Sequence, residues 1–203
     1  MNDPQATVTD RRKARDDRLV TTLLLGRIVA PLGDTVCRIR NLSQGGAKIE
    51  IRAPLAVGDP VSVELRGTTL VPGTVAWVSG NTAGVAFAAP VERDMLLGHA
   101  GQERFKQRSP RLEAECPAIL RVAGHAHSTR LLDIGQRGAR IGGAGNLARD
   151  TSVRLEAAGL GHIAAVVRWS KPDTIGLFFP EPIPFVTLSA WSQDTATRFS
   201  ARG

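Results

Sequence analysis

The sequence contains no tyrosine, and its aromatic residues amount to six Phe and three Trp in 203 positions. Two cysteines, Cys37 and Cys116, are its whole thiol complement. That excludes a disulfide framework and leads us to expect free thiols in a reducing cytoplasm. Long hydrophobic runs are missing too. The most apolar stretch, Leu19–Leu32, is broken by Thr21, Thr22 and Arg27 and falls far short of a span of ~20 residues, so no membrane crossing is expected. Met1–Asp10 is polar and lacks the apolar core of a secretory signal. Lysine is scarce: four of the 26 basic residues are Lys and the other 22 are Arg. The net charge of +7 is therefore an arginine excess, and the codon bias of a GC-rich genome is its expected main source. Only local clusters of arginine call for chemistry.

The chain is also poor in catalytic pairings. Its four His, two Cys and scattered Ser form no recognisable nucleophile–base arrangement, so no enzyme is expected. His125-Ala-His127 has the alternation of metal ligands, but no Cys or paired carboxylate stands near it. A loop between strands is the expected placement, with no metal and no cofactor. The glycine-rich Ile141-Gly-Gly-Ala-Gly145 does not fit the strand–loop–helix pattern of a phosphate loop.

What the sequence does have is a repeat. Asn41-Leu-Ser-Gln-Gly-Gly-Ala-Lys-Ile49 recurs as Asp133-Ile-Gly-Gln-Arg-Gly-Ala-Arg-Ile141, 92 positions on. Trp77 and Trp169, Gly84 and Gly176, Phe87 and Phe179, and Pro90 and Pro182 keep the same offset. Shared turn glycines and bulky strand residues identify two copies of one small domain. Cys37 and Cys116 do not occupy equivalent repeat positions. A hydrophobic fraction of 42% supports two packed cores and excludes disorder.

Within each copy, apolar alternation marks six short strands with turns every 8–12 residues, the pattern of an all-β barrel or sandwich. In copy one these are Leu19–Val29, Thr35–Leu42, Ala47–Ile51, Val61–Leu65, Val71–Val78 and Ala83–Phe87. In copy two they are Glu113–Val122, Ser128–Asp133, Ala139–Ile141, Ser152–Glu156, His162–Trp169 and Thr174–Phe179. Gln44-Gly-Gly46 reads as a turn or bulge, and Trp77 and Trp169 read as core or barrel wall rather than as stacking platforms. Val91–Gln107 lacks β alternation and reads as a short linking helix. Phe185, Leu188, Trp191 and Ser192 fall at helical spacing, so the tail reads as a helix capping the second copy. The expected organisation is an Arg-rich flexible segment 1–18, a first barrel 19–91, a linker 92–107, a second barrel 108–183 and a tail 184–203.

Asp10-Arg-Arg-Lys-Ala-Arg-Asp-Asp-Arg18 brings Arg11, Arg12, Arg15 and Arg18 together just before the first strand, with Arg11 and Arg15 four apart. The turn after the second strand reads Asn41-Leu-Ser-Gln-Gly-Gly46. Arg-x-x-x-Arg ahead of a β-barrel, with [Asp/Asn]-x-Ser-x-x-Gly inside it, resembles the PilZ family. The resemblance covers nearly all of Arg11–Val91 and, less faithfully, Arg104–Pro182. It implies two consecutive six-stranded barrels and, as ligand, the bacterial messenger cyclic di-GMP. By the same resemblance Arg11, Arg12, Arg15, Arg18, Asn41, Ser43, Gly45 and Gly46 are its binding residues. The chemistry suits those roles. An arginine fork matches guanine O6 and N7, worth ~1–3 kcal/mol per bidentate contact, and also pairs with phosphate. Asn41 can meet a guanine edge, Ser43 a phosphate or ribose, and Gly46 leaves room for close approach.

Each motif also has an ordinary reading, as a solvated basic tail and as a turn whose Asn and Ser bond their own backbone. Asp16 and Asp17 inside the cluster oppose an anion, and the spacing does not say which Arg pair works. In copy two Arg104, Arg108, Arg111, Asp133 and Gly138 mark a second, weaker site. There Gly135 stands where serine is expected, which removes a polar contact worth ~0.5–1.5 kcal/mol. Three readings follow. One is a receptor that binds cyclic di-GMP, orders its arm or changes its inter-domain angle, and signals to an unidentified protein partner. The next is a ligand-free PilZ-like interaction module, serving motility, pilus or envelope-synthesis machinery. Third comes nucleic-acid binding through the basic surface, which no groove-reading helix supports.

Overall fold

The structure, a computed structural model, describes residues 21–31, 33–65, 69–92 and 110–200. The arginine-rich segment and nearly all of the expected linker helix lie outside the described residues. Twelve strands form two closed antiparallel barrels of six. The first holds β1 (Thr21–Ala30), β2 (Gly33–Ser43), β3 (Gly46–Glu50), β4 (Pro60–Leu65), β5 (Thr69–Ser79) and β6 (Thr82–Phe87). They neighbour one another in the order β1-β2-β3-β6-β5-β4. The second holds β7 (Leu112–Val122), β8 (His125–Gly135), β9 (Gly138–Gly142), β10 (Ser152–Ala157), β11 (Gly161–Lys171) and β12 (Thr174–Phe178), joined in the same order. Every strand expected from alternation is present. Closure leaves no free sheet edge, although β2, β5, β7, β8 and β11 each run to 11 residues and are longer than alternation alone marked them.

Inward-facing aliphatic residues fill the first barrel, among them Ile28, Ile39, Ile49, Val63 and Val75, all essentially inaccessible. Leu120, Leu131, Ile141, Leu155, Val167 and Ile175 do the same in the second. Cys37 and Cys116 are free and buried, each in its own barrel wall. Burial, with the nearby Glu64 charge adding to it, pushes the Cys37 thiol up to about 12.

In the second barrel, the tail forms α1 (Phe185–Ser200). Phe185, Leu188, Trp191 and Ser192 are buried as the helical spacing requires, and the Trp191 indole donates to the Ala158 carbonyl at 2.9 Å. His125 and His127 depart from the expected loop. They open β8, paired with Val122 and Leu120 across a two-residue turn, and both are exposed. A strand's alternation places i and i+2 on one face, so the spacing that suggested metal ligands is simply that of a strand. Among the described residues no group of three metal-ligating side chains comes together.

Two bulges set the outer wall of each barrel. In β2 the register slips between Ile39 and Asn41, leaving Arg40 as an extra residue; in β5 it slips between Val75 and Trp77, leaving Ala76. Without the slip, Asn41 would share the inward face of Ile39 and Trp77 that of Val75. One extra residue inverts the parity and turns both outward. The same slips recur at Leu132 and Arg168. They explain why the tryptophans, read as core or wall, stand on the wall and face outward. Trp77 is 41% and Trp169 37% exposed.

Candidate site on the first barrel wall

The bulges align a row of side chains across four strands. Asn41 of β2 lies opposite Lys48 of β3, Lys48 opposite Gly84 of β6, and Gly84 opposite Trp77 of β5. Because the row faces outward, it forms the floor of a surface pocket of about 560 Å³. Asn41, Ser43, Gly45, Gly46, Lys48 and Trp77 are among its lining residues. Four of the residues marked by the turn motif, Asn41, Ser43, Gly45 and Gly46, are therefore brought together in one concavity. Its size falls within the usual range for small-ligand sites.

The chemistry of the floor is graded along the row. At one end Trp77 lies flat on Gly84, so close that a Cβ at 84 would fall 2.0 Å from the indole nitrogen. Glycine is required there to let the ring lie against the wall. Lys48 places its ammonium 5.9 Å from the Trp77 ring centroid, at the outer limit of a cation–π contact. At the other end Asn41 is exposed, its amide offering both donors and an acceptor. The Ser43 hydroxyl donates to the Gly46 carbonyl at 3.1 Å, which leaves its lone pairs free to accept. The bend is pinned from behind, where the Phe87 amide donates to the Gly45 carbonyl (2.9 Å) and the Val91 amide to that of Gln44 (2.8 Å). An aromatic face, a cation and an amide within one shallow pocket suit a planar heterocycle attached to an anionic group.

The two glycines of the bend differ in role. A Cβ at Gly46 would meet the Val85 carbonyl oxygen at 2.4 Å, so this glycine answers first to strand packing rather than to ligand approach. A Cβ at Gly45 would meet nothing within 4 Å, and this is the residue that leaves the mouth open. Arg11, Arg12, Arg15 and Arg18 lie outside the described residues.

Sequence reasoning passed over Trp77, Lys48 and Gly84. A signal was present: Trp77 and Gly84 each recur 92 positions on, and Lys48 recurs as Arg140, so basic character is kept while the residue changes.

The corresponding row of the second barrel is Asp133, Arg140, Gly176 and Trp169 in the same register. Its polar end is engaged. Asp133 Oδ1 accepts from Arg111 Nη1 at 2.7 Å, while Oδ2 faces Arg140 Nε at 2.8 Å. Arg111 and Asp133 are thus brought together as each other's partners, and Gly138, like Gly46, packs against a neighbouring carbonyl, Leu177, at 2.3 Å from a Cβ. Arg104 and Arg108 lie outside the described residues.

Comparison with known proteins gives one family: the PilZ domain model matches residues 9–99. No curated protein sequence matches the chain. Among solved structures, it is similar to the PlzA protein of Borreliella burgdorferi in complex with cyclic di-GMP. Identity there is 9%, with 90% of each chain covered and a TM-score of 0.35. The inhibitor of motility MotI/DgrA of Bacillus subtilis is 16% identical over 88% of this chain and 96% of that one, with a TM-score of 0.35. YcgR of Escherichia coli in complex with cyclic di-GMP is 14% identical over 98% and 94%, with a TM-score of 0.34.

Proposed function

Since the chain belongs to the PilZ family through residues 9–99, we propose that its first barrel is a receptor for cyclic di-GMP. The observation that carries this reading is the outward row Asn41–Lys48–Gly84–Trp77 beneath the Ser43–Gly46 bend. Trp77 offers a face for one guanine, a stacking contact worth ~1–3 kcal/mol per base. Lys48 meets phosphate charge, Asn41 reads a guanine edge, and Ser43 accepts from or donates to ribose or phosphate. Arg11, Arg12, Arg15 and Arg18, supplied by the segment before β1, close over the ligand with guanidinium forks on phosphate and guanine.

The protein works in the cytoplasm and catalyses nothing. The ligand supplies the contacts that favour a closed arm, and the new surface or inter-domain angle is read by a protein partner. Among the described residues no helix is long and apolar enough to cross a membrane.

Isothermal titration of the whole chain with cyclic di-GMP is the test. Saturable heat is expected, weakened by Arg15→Ala and by Ser43→Ala while both variants remain folded, Ser43→Ala melting slightly earlier for want of its bond to the Gly46 carbonyl. No heat at tens of micromolar protein would leave the alternative, a PilZ-like interaction module without a ligand. The engaged Asp133 of the second barrel favours that alternative for this half of the chain. A partner pull-down indifferent to the nucleotide would support it.

A further inference from the structure

We infer that the second barrel is sealed by its own chain, with Arg111 and Gly135 as the residues that deny it a dinucleotide, so that the messenger enters through the first barrel alone. The inference rests on the receptor reading of the first barrel and limits it to one of two homologous walls.

Three observations at equivalent positions carry it. At the place of Ser43 stands Gly135, and a Cβ there would lie 2.7 Å from the Pro110 carbonyl oxygen and 3.5 Å from the Arg111 side chain. The missing hydroxyl is thus a consequence of chain already lying over the bend. Pro110 is itself buried, so the segment is packed onto the wall. At the place of Asn41 stands Asp133, only 8% exposed, whose two oxygens hold Arg111 and Arg140. These guanidiniums would otherwise be offered to phosphate or guanine; here the carboxylate already fills the anion's place. At the place of Lys48 stands Arg140, drawn toward Asp133, while a different cation, Lys171, reaches the Trp169 ring at 5.9 Å. A dinucleotide would have to displace Arg111 from Asp133 and lift Pro110 from Gly135 before touching the row.

The deciding experiment records backbone amide shifts of the whole chain as cyclic di-GMP is added, together with amide exchange at 111–113 in wild type, Asp133→Ala and Asp133→Asn. Shifts are expected at 41–48 and 77–86 with none at 133–140 or 169–176; ligand-dependent shifts around Asp133 and Trp169 would overturn the seal. If no residue shifts, the receptor reading fails, and the seal is judged by exchange alone. Loss of a charge-assisted bond should speed exchange at 111–113 by about tenfold in either Asp133 variant, with Asn serving if Ala does not fold. Exchange unchanged from wild type would mean that this ion pair holds nothing down, and the inference would fall.

Discussion

The two barrels share topology, bulges, a tryptophan laid on a glycine and a pinned bend, all at one constant offset, yet they treat the same outer wall in opposite ways. In the first, Asn41 stands exposed beside Lys48 and Trp77 in an open pocket. In the second, Asp133 is buried beneath Arg111 and Arg140, and Pro110 covers the bend. Features common to both copies are those the barrel cannot do without. Three that differ, Asn41 against Asp133, Ser43 against Gly135 and Lys48 against Arg140, lie where a ligand would sit, and that contrast separates packing glycines from site residues without recourse to any other sequence.

The comparison is first sharpened by what both barrels need. Gly46→Ala and Gly138→Ala each force a Cβ onto a carbonyl of the neighbouring strand, Val85 or Leu177, that cannot move without breaking the ladder. Each should cost its own barrel about 3 kcal/mol, the upper part of the usual overpacking range. Denaturant unfolding followed by the core amides of each barrel checks this. A tolerated Gly46→Ala would return that glycine to a ligand role.

Next come substitutions that should act unequally. Gly135→Ser drives a side chain into Pro110 and should cost the second barrel about 2 kcal/mol. The reverse change, Ser43→Gly, removes one bond from hydroxyl to backbone and should cost the first barrel only about 1 kcal/mol. Equal costs would mean the bends are alike after all. Similarly, Trp77→Ala should weaken cyclic di-GMP roughly tenfold through lost stacking, whereas Trp169→Ala should leave the affinity unchanged. Titration of both variants decides it.

Much of this was legible in the sequence, and the reasons are specific. Alternation such as Ala47–Ile51, with Lys48 and Glu50 outward, fixes a strand because one face must be apolar, and the 92-residue repeat states the same pattern twice. Helical spacing of Phe185, Leu188 and Trp191 likewise reports a buried stripe. The outward turn of Trp77 was not legible, since it depends on one extra residue, Ala76, in a run that reads equally well without a bulge. With parity undetermined, a large apolar ring is left between core and wall, and its place in the pocket is missed. The loss of serine at 135 was visible, but its cause was not. Pro110 reaches Gly135 across strands, and no local pattern encodes that approach.

The smallest expected difference concerns acid. Glu64 of β4 and Glu156 of β10 are equivalent residues, yet they find different arginines. Glu64 is held by Arg27 directly opposite at 2.7 Å. In the second barrel Ile119 takes the opposite position, and Arg121, standing where the first barrel has Val29, reaches Glu156 instead. The Arg121 hydrogen bond holds the Glu156 carboxyl below its ordinary value of 4.5, with His162 nearby adding to the effect. A carboxyl with a depressed pKa in the folded state contributes stability above its unfolded value and loses it as pH falls through the folded one. Acidification below 4.5 should therefore loosen the second barrel by this route, and Glu156→Gln should flatten that part of its pH profile while lowering stability slightly at neutral pH. Because the pair is exposed at the arginine end, the change should be small and should shrink further in high salt. Core-amide exchange in β10 and β11, followed as pH is lowered in wild type and Glu156→Gln, reads it directly. An identical acid profile in the two proteins would show that the Arg121–Glu156 pair adds nothing to the acid sensitivity of the second barrel.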